Sequence, residues 1–186
     1  MAIWLIRSGK HGEYEQKYIQ EKKVYVTWDR LAIDVAQLSN RDALLEEMAQ
    51  LYPDSKVNTL RNWARQIWPF AHEIKKGDWV VMPLKQQPTI YVGEVTSDYN
   101  FDAAGSNPFF HWRSVKWIAE SIPRDNFAQD LRYSFGAFLT ICRITRNDAE
   151  ARMLAMQKNG WRPEQGTMAV SSLQSEDADA VETDLE

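Results

Sequence analysis

The eight tryptophans of this 186-residue chain are the residues whose type most suggests a binding chemistry. One small core cannot bury eight indole rings and also satisfy every indole N–H, so we expect five or six to be structural, including Trp4, Trp79 and Trp117. The two or three that remain are available to line a pocket or face a partner. The candidates lie beside turns and polar residues, and they are Trp28, Trp63 and Trp68, with Tyr99 in a polar loop as an addition.

A pocket lined by these rings suits a flat π-surface such as a nucleobase, because every base has a face that can stack on an aromatic ring. Asp29 and Ser8 are the side chains expected to read the hydrogen-bonding edge of that base. The predicted base pocket consists of Ser8, Trp28, Asp29, Asn62, Trp63, Trp68 and Tyr99.

Basic residues stand where they can meet phosphates around such a pocket. Four fall on or beside a central helix and two on an alternating strand. These predicted phosphate contacts are Arg61, Arg65, Lys75, Lys76, Arg113 and Lys116. Each group is also explained as a solvated face, so the pattern permits phosphate contacts without requiring them.

The formal net charge of -4 conceals a basic body. Of the 26 acidic residues, six lie within residues 171–186, which contain no Lys or Arg. Residues 1–170 therefore hold 22 basic and 20 acidic side chains, a net charge of +2. A negatively charged partner is thus not excluded, although +2 is too small to predict nucleic-acid binding by itself.

One textual motif suggests a metal-dependent nuclease. Pro53-Asp54 and Glu73-Ile74-Lys75 match the pattern PD…(D/E)xK, whose two carboxylates must converge on Mg²⁺ from neighbouring strands. Here Asp54 precedes a predicted helix and Glu73 follows it, so the helix would hold the two carboxylates far apart. Helix-end electrostatics explain both positions. We therefore predict no nuclease centre at this pair.

Other catalytic patterns are missing from the sequence. The three histidines, His11, His72 and His111, have no HxxxH or HxH spacing, and no GxSxG, P-loop or GxGxxG occurs. Cys142 lies in an apolar strand, where we expect a buried, inert thiol. We predict no catalytic residue, metal ligand or cofactor in this chain, which is therefore not expected to be an enzyme.

The chain is expected to be one cytoplasmic domain with a tail. No run approaches the roughly 18 apolar residues of a membrane span, the N-terminus lacks the features of a secretory signal, and one cysteine permits no internal disulfide. We assign residues 1–165 to the domain. Residues 166–186 are polar, acidic and free of aromatic side chains, and we expect a disordered tail or linker.

Hydrophobic periodicity predicts the elements that must position these side chains. Strands are expected over residues 3–7, 24–28, 79–84, 89–95, 110–118 and 138–144, with a loop over 96–109. Helices are expected over 13–22, over 41–51 after an Asn40 cap, from Ser55 or Asn58 to about 74, briefly over 129–137, and over 147–159 after an Asn147 cap. Pro69 should kink or break the long helix near Trp68. This order indicates an α+β domain around a small barrel or curled sheet.

Several segments resemble the N-terminal region of Mrr-like (type IV) restriction endonucleases. They include WLIRSGKHGEYEQKYIQEKKVYVTWDRL, NTLRNWARQIWPFAHEIKKGDWVVMPLK, TIYVGEVTSDYNFD, FFHWRSVKWI and PRDNFAQDLRYSFGAFLTICRI, and together they cover most of residues 3–160. The order of parts is also similar to a PUA-like domain of the EVE type. The matching parts are Trp4, Lys76-Gly77-Asp78, Gly93-Glu94-Val95 and Arg113-Ser114-Val115-Lys116-Trp117.

The resemblance implies a PUA-like (EVE-type) curled β-barrel with peripheral helices that binds double-stranded DNA and holds a flipped, modified base in an aromatic pocket. It further implies a C-terminal nuclease domain after an acidic linker, which residues 166–186 resemble, with Mg²⁺ expected only in that absent domain. Two alternatives remain open: an RNA-binding PUA-like module and a regulatory domain that senses a nucleotide-like molecule. A stand-alone nuclease using Asp54 and Glu73 would require the two carboxylates to lie within bridging distance of one metal ion.

Overall fold

The computed structural model describes residues 1–164, which form one mixed sheet and five α-helices. In chain order the elements are β1 (Ile3–Ile6), α1 (Glu15–Glu21), β2 (Lys23–Val26), α2 (Arg41–Leu51), α3 (Val57–His72), β3 (Trp79–Pro83), β4 (Thr89–Val95), β5 (Asn100–Phe101), β6 (His111–Pro123), α4 (Gln129–Phe135), β7 (Ile141–Ile144) and α5 (Ala149–Lys158). The predicted α+β class is confirmed. The predicted tail, residues 166–186, lies outside the described residues.

The sheet is curled into a half-barrel. Its strand order is β2-β6-β4-β3-β1-β7, with β5 paired to β6, and the β1–β3 pair alone is parallel among the described strands. The long strand β6 pairs with β2 through its first half and with β4 through its second half. The register between β4 and β6 shifts near Val92, and such bulges increase the twist of a sheet and bend it.

Two apolar layers cover the sheet, one on each face. Alternate residues of β1 point to opposite layers, because successive side chains of a strand face opposite sides. Trp4 and Ile6 join the layer formed with α1, α2 and α3, whereas Ile3 and Leu5 join the layer formed with α4 and α5. This two-sided burial explains why β1 and β3 have no polar alternation in the sequence.

Two of the tryptophans expected to be structural are buried in these layers, Trp4 in one and Trp79 in the other. The Trp4 indole N–H donates to Asp78 Oδ2 at 3.1 Å. Asp78 also accepts the backbone N–H of Ala2 at 2.9 Å and that of Lys75 at 3.0 Å, so one buried carboxylate fastens the N-terminus to the turn before β3. Trp117 is half-buried and packs edge-on against Tyr91.

Of the predicted kink or break at Pro69, the break is wrong, because α3 continues through Pro69 to His72. Proline removes one N–H, so the helix loses the hydrogen bond to the Arg65 carbonyl. The apolar stripe that includes Leu60, Ile67 and Phe70 nevertheless stays buried along the helix. Burial of this stripe stabilises the helix enough to outweigh the missing bond.

Strand and cap positions differ from the prediction where tertiary contacts decide them. Strand β6 runs to residue 123 rather than 118 because β4 pairs with its second half, and β7 begins at 141 rather than 138. The expected loop over 96–109 contains the two-residue strand β5. Asn40 caps α2 as predicted and accepts the N–H of Ala43 at 2.9 Å. Neither α3 nor α5 has a side-chain cap at its start, so the predicted caps Ser55, Asn58 and Asn147 are wrong.

Among the helices of residues 1–164, none combines the length and the apolar character that crossing a bilayer requires.

Candidate functional site

A cleft lined by aromatic side chains opens between the β1–α1 loop, the end of β2 and the first half of α3. It consists of two adjoining cavities of about 300 and 560 Å³. Both cavities are lined by Lys10, Trp28, Trp63 and Thr140, so we treat them as one site, the aromatic cleft. Pockets of roughly 300–1,000 Å³ are the usual size for small organic ligands.

Four of the seven predicted pocket residues meet in this cleft. Trp28 and Asp29 follow β2, and Asn62 and Trp63 lie on the face of α3 that looks toward them. Among the described residues neither indole N–H has a hydrogen-bond partner, so both remain free to donate to a bound molecule. The structure therefore brings together two flat rings and two polar side chains from distant parts of the chain.

Tyr52 braces this aromatic wall. Its ring packs edge-on against Trp63, with centroids 5.4 Å apart and planes at 82°. Its hydroxyl donates to the backbone carbonyl of Asp29. Burial raises the pKa of Tyr52 to about 12, so the hydroxyl stays protonated and can keep this donation at neutral pH.

Asp29 is an ionised acceptor at the rim of the cleft. Its Oδ1 accepts the side-chain N–H of Asn107 at 2.8 Å, and its Oδ2 accepts the Nε–H of Arg30 at 2.9 Å. These two bonds, that from Asn107 first, lower the pKa of the exposed Asp29 carboxyl. The carboxylate keeps lone pairs for one more donor, because each oxygen can accept two hydrogen bonds.

Gln66, which sequence reasoning missed, sets the orientation of Asn62. It is only 5% exposed, and its Oε1 accepts the N–H groups of Thr140 at 2.8 Å and Ile141 at 3.3 Å. Its Nε2 donates to Asn62 Oδ1 at 3.3 Å, which leaves the Asn62 amide N–H₂ to face a ligand. The sequence does contain a signal for this role, because Gln66 interrupts the apolar stripe of an amphipathic helix. A buried amide requires hydrogen-bond partners.

Glu13 also lines the cleft and was not predicted. Gly9 has φ +91°, and a Cβ there would lie 2.5 Å from the Glu13 carboxyl carbon, so this turn depends on glycine. Glu13 Oε2 accepts the N–H of His11 at 2.7 Å. Desolvation raises the pKa of Glu13, but the N–H groups of Glu13, His11 and Lys10 outweigh it and hold that pKa below its usual value.

Ser8 is buried beside the cleft rather than in it. Its neighbours Gly9 and Lys10 line the cavities, but Ser8 itself does not. Within residues 1–164 its hydroxyl has no hydrogen-bond partner, and its carbonyl accepts the N–H of Tyr14 at 3.1 Å. The position of Ser8 therefore does not support its expected role in reading a base edge.

Trp68 lies on another face of α3. Five residues separate it from Trp63, which corresponds to about 140° around the helix. Its ring stacks on the imidazole of His72, with centroids 3.7 Å apart. Trp68 is thus outside the aromatic cleft and packs partly buried against the core.

Tyr99 serves a buried hydrogen-bond chain instead of the cleft. His111 Nε2 lies 2.6 Å from the Leu31 carbonyl, which can only accept, so this nitrogen carries the proton. The Tyr99 hydroxyl then donates to His111 Nδ1 at 2.6 Å and accepts the N–H of Val35 at 3.3 Å. Burial lowers the pKa of His111 to about 4, so the ring is neutral in the folded protein.

The predicted phosphate contacts lie in three places, and Lys75, Lys76 and Arg113 line one cavity together with Tyr99. Arg61 and Arg65 are exposed and lie within about 100° of Asn62 around α3, beside the cleft. Lys75 and Lys76 follow the far end of α3, where Lys76 lies 3.7 Å from Asp98. Exposed Lys116 lies on β6, across from Glu94.

The assignment of Arg113 to phosphate is corrected by the structure. Arg113 is only 3% exposed, because alternation on β6 turns it into the first apolar layer. Its Nε donates to the Phe70 carbonyl at 2.8 Å and its Nη2 to the Ala71 carbonyl at 3.2 Å. These carbonyls belong to the last turn of α3 and have no partner within the helix, so Arg113 satisfies them.

The loop between α4 and β7 carries an aromatic side chain, Phe138, that the sequence pattern assigns to a strand. Phe138 is fully exposed and lies on the wall of the larger cavity. The backbone around it is held firmly, because Arg7 donates to the carbonyls of Ala137 and Leu139 at 2.9 and 3.2 Å. An apolar side chain is thus presented to solvent from an ordered loop beside the cleft.

The alternative nuclease pair is separated by α3. Asp54 precedes the helix and Glu73 follows its last residue, so about 24 Å of helix axis lies between them. Two carboxylates at that separation cannot hold one metal ion, and Glu73 pairs with Arg41 at 3.3 Å. Across residues 1–164 there is no cluster of three or more His, Cys, Asp or Glu suited to a metal ion.

Fold and cleft together define a mixed α+β domain with an aromatic site of ligand size. The chain belongs to the family described as a domain of unknown function, DUF8426, which matches residues 4–137. That match includes Trp28, Asp29, Asn62 and Trp63 and ends just before Phe138. No curated protein and no solved structure matches the chain.

Proposed function

We propose that this protein is a DNA-recognition module of the PUA-like, EVE type, which holds one extruded, modified base of a duplex in the aromatic cleft. The observation that carries the proposal is that Trp28 and Trp63 line both cavities of the cleft, with Asp29 on the smaller cavity and Asn62 on the larger one. A base removed from its stack needs flat apolar surfaces for its faces and polar groups for its edge, and the cleft offers both.

The polar groups of the cleft have mixed character, as recognition of a base edge requires. The two indole N–H groups and the Asn62 amide donate, while Asp29 accepts. Donors and acceptors that are fixed by their neighbours cannot adjust to a base with the wrong edge. Such a base leaves some of these groups without a hydrogen bond, and that loss distinguishes it from the right base. Gln66 and Asn107 supply this fixing for Asn62 and Asp29.

Phe138 gives the module a means of keeping the base out of the duplex. Proteins that unstack DNA frequently insert an apolar side chain between base steps. A fully exposed phenylalanine on a loop held by Arg7 and Gln66, at the wall of the cleft, is suited to fill the space that an extruded base leaves.

The sequence resemblance to Mrr-like restriction endonucleases supports the choice of DNA and of a modified base. On this proposal the module itself performs no catalysis. Cleavage belongs to a separate nuclease domain with its own Mg²⁺, in a cytoplasmic restriction system that acts against foreign DNA.

Substitution of the cleft tryptophans tests the proposal. Trp28→Ala and Trp63→Ala should each weaken binding to the preferred modified duplex roughly five- to a hundredfold, the loss expected when about 1–3 kcal/mol of stacking is removed. Trp68→Ala is the matched control, since it removes the same ring from α3 outside the cleft. Fluorescence anisotropy at one stated salt concentration measures the affinities, and near-UV circular dichroism checks the fold.

Equal losses from Trp68→Ala and Trp63→Ala would argue against base stacking in the cleft. A single-stranded RNA competitor separates the two nucleic acids, because an RNA reader would bind it better than duplex DNA through its splayed bases and 2′-hydroxyls.

A further inference from the structure

A third, smaller cavity of about 160 Å³ lies next to the two cavities of the aromatic cleft and is lined by four basic side chains. They are Arg7 directly after β1, Lys85 in the β3–β4 turn, Arg124 directly after β6, and Arg132 on α4. The remaining lining consists of apolar residues and Gly136, and it includes no acid. None of the four basic residues belongs to the predicted phosphate contacts.

Backbone carbonyls position two of the guanidinium groups. Arg7 donates from Nη2 to the Phe135 and Ala137 carbonyls, both at 2.9 Å, and from Nε to the Leu139 carbonyl at 3.2 Å. Arg124 donates from Nη2 to the Leu84 carbonyl at 2.7 Å. Carbonyls accept hydrogen bonds without neutralising the positive charge, so both groups are held in place with their full charge.

The third guanidinium has a partner on its solvent side only. Arg132 Nη1 donates to Asp125 Oδ1 at 2.9 Å, and the Asp125 side chain is 92% exposed. Exposed ion pairs of this kind are weak because water screens them. The positive charge on the cavity side of Arg132 is therefore little reduced.

Several N–H groups around this cavity have no acceptor within the described residues. Each of the three arginines keeps one terminal nitrogen without a protein partner. The Lys85 amine has no protein partner either. In addition the Nε atoms of Arg124 and Arg132 are buried and unpartnered. Buried donors without acceptors are rare in folded proteins, so this cluster is unusually poor in acceptors for its own N–H groups.

The lining also places like charges side by side. Burial is the largest effect that lowers the pKa of Arg7; the neighbouring Cys142 raises that pKa, and the positive charge of Arg124 lowers it by a smaller amount. Bringing like charges together around a small space is unfavourable unless an anion lies between them. Guanidinium groups fixed in advance donate strong, charged hydrogen bonds to oxyanions through the N–H groups that remain free.

We propose that Arg7, Lys85, Arg124 and Arg132 form a binding site for a phosphate group. The site does not require that the cleft read a base, so it stands or falls separately from the proposed function. The two are nevertheless neighbours, since Arg7, Lys85 and Gly136 line both this cavity and the larger cavity of the cleft. A phosphate here can therefore belong to the same nucleotide or strand as a base in the cleft.

Titration of the full chain with inorganic phosphate in chloride buffer tests the site by calorimetry and thermal unfolding. Phosphate should bind saturably and raise Tm. Lys85→Gln and Arg132→Gln should each weaken its affinity on the order of tenfold, as expected for one lost charged hydrogen bond. Lys158→Gln on α5 is the charge-matched control and should leave the affinity unchanged. Trp28→Ala should also leave it unchanged, which separates this site from the cleft.

Two further ligands identify the source of the phosphate. If the site holds a backbone phosphate, Lys85→Gln should weaken the binding of an unmodified DNA duplex. If it holds a free nucleotide, Lys85→Gln should weaken the binding of a deoxynucleoside 5′-monophosphate. Either result supports a phosphate site. The proposal is overturned if inorganic phosphate shows no saturable binding. It is also overturned if Lys85→Gln and Arg132→Gln, folded by circular dichroism, bind phosphate as tightly as Lys158→Gln does.

Discussion

At the scale of single residues, the side chains of the cleft depend on polar neighbours that hold them. Asn62 is oriented by Gln66, and Asp29 is held by Asn107 and Arg30. The sequence identifies Asn62 and Asp29 because they adjoin tryptophans in turn-like surroundings. It does not identify Gln66 or Asn107, because their roles depend on contacts across 74 and 78 residues of chain.

A buried histidine makes stability depend on pH. The pKa of His111 is about 4 in the folded protein and about 6.5 when exposed, so the neutral ring stabilises the fold fully above pH 6.5. As pH falls from 6.5 to 4, the unfolded chain takes up a proton that the folded chain refuses, and on the order of 3 kcal/mol is lost. Chemical denaturation across this range should show the decline.

Replacement of this ring identifies its contribution. His111→Gln should be less stable at pH 7 yet lose less stability between pH 6.5 and 4 than the native protein. An identical pH dependence in His111→Gln and the native protein would show that His111 is not the responsible group.

At the scale of elements, the sequence predicts most segments and fails where partners decide. Helix α2 is evident from its apolar spacing and its Asn40 cap. Pro69 misleads because local rules cannot weigh one lost hydrogen bond against a buried stripe on α3. Arg113 misleads because alternation on β6 shows which residues share a face but not which face is buried.

The end of α3 is expected to depend on Arg113. Arg113→Gln removes donors from the Phe70 and Ala71 carbonyls, so the free energy of unfolding should fall by about 3 kcal/mol. Lys116→Gln changes an exposed charge on the same strand and should alter stability by less than about 0.5 kcal/mol. Urea denaturation measures both. A change in Arg113→Gln as small as that in Lys116→Gln would refute the capping role.

The loop before β7 is expected to act in binding and not in folding. Phe138→Ser removes an exposed ring, so Tm should change by no more than about 2 °C. Affinity for the preferred duplex should fall at least about fivefold, because the proposed wedge is lost. Tyr133→Ser removes another exposed ring, from α4, and serves as the control. Unchanged affinity in Phe138→Ser would exclude the wedge.

At the scale of the whole molecule, the cleft exists because distant segments meet at one side of a curled sheet. Lys10, Trp28, Trp63 and Thr140 come from four segments, so the complete site requires the fold from β1 to β7. The α+β class follows from the order of predicted elements, whereas the basic cavity of Arg7, Lys85, Arg124 and Arg132 does not. Its members are scattered along the sequence and share no motif.

The net charge of the whole chain also bears on binding. A net charge of +2 over residues 1–170 gives little general attraction to DNA, so on the proposed function the affinity would have to come from particular sites. Base stacking in the cleft would be the part of that affinity that depends least on salt and that can depend on the modification of one base.

The most direct test is an affinity screen of the native protein over duplexes of one sequence that carry unmodified, methylated, hydroxymethylated or glucosylated bases, at one stated salt concentration. The account predicts that at least one modified duplex binds about tenfold or more tightly than the unmodified duplex. Affinities that agree within about twofold across the whole panel would contradict it.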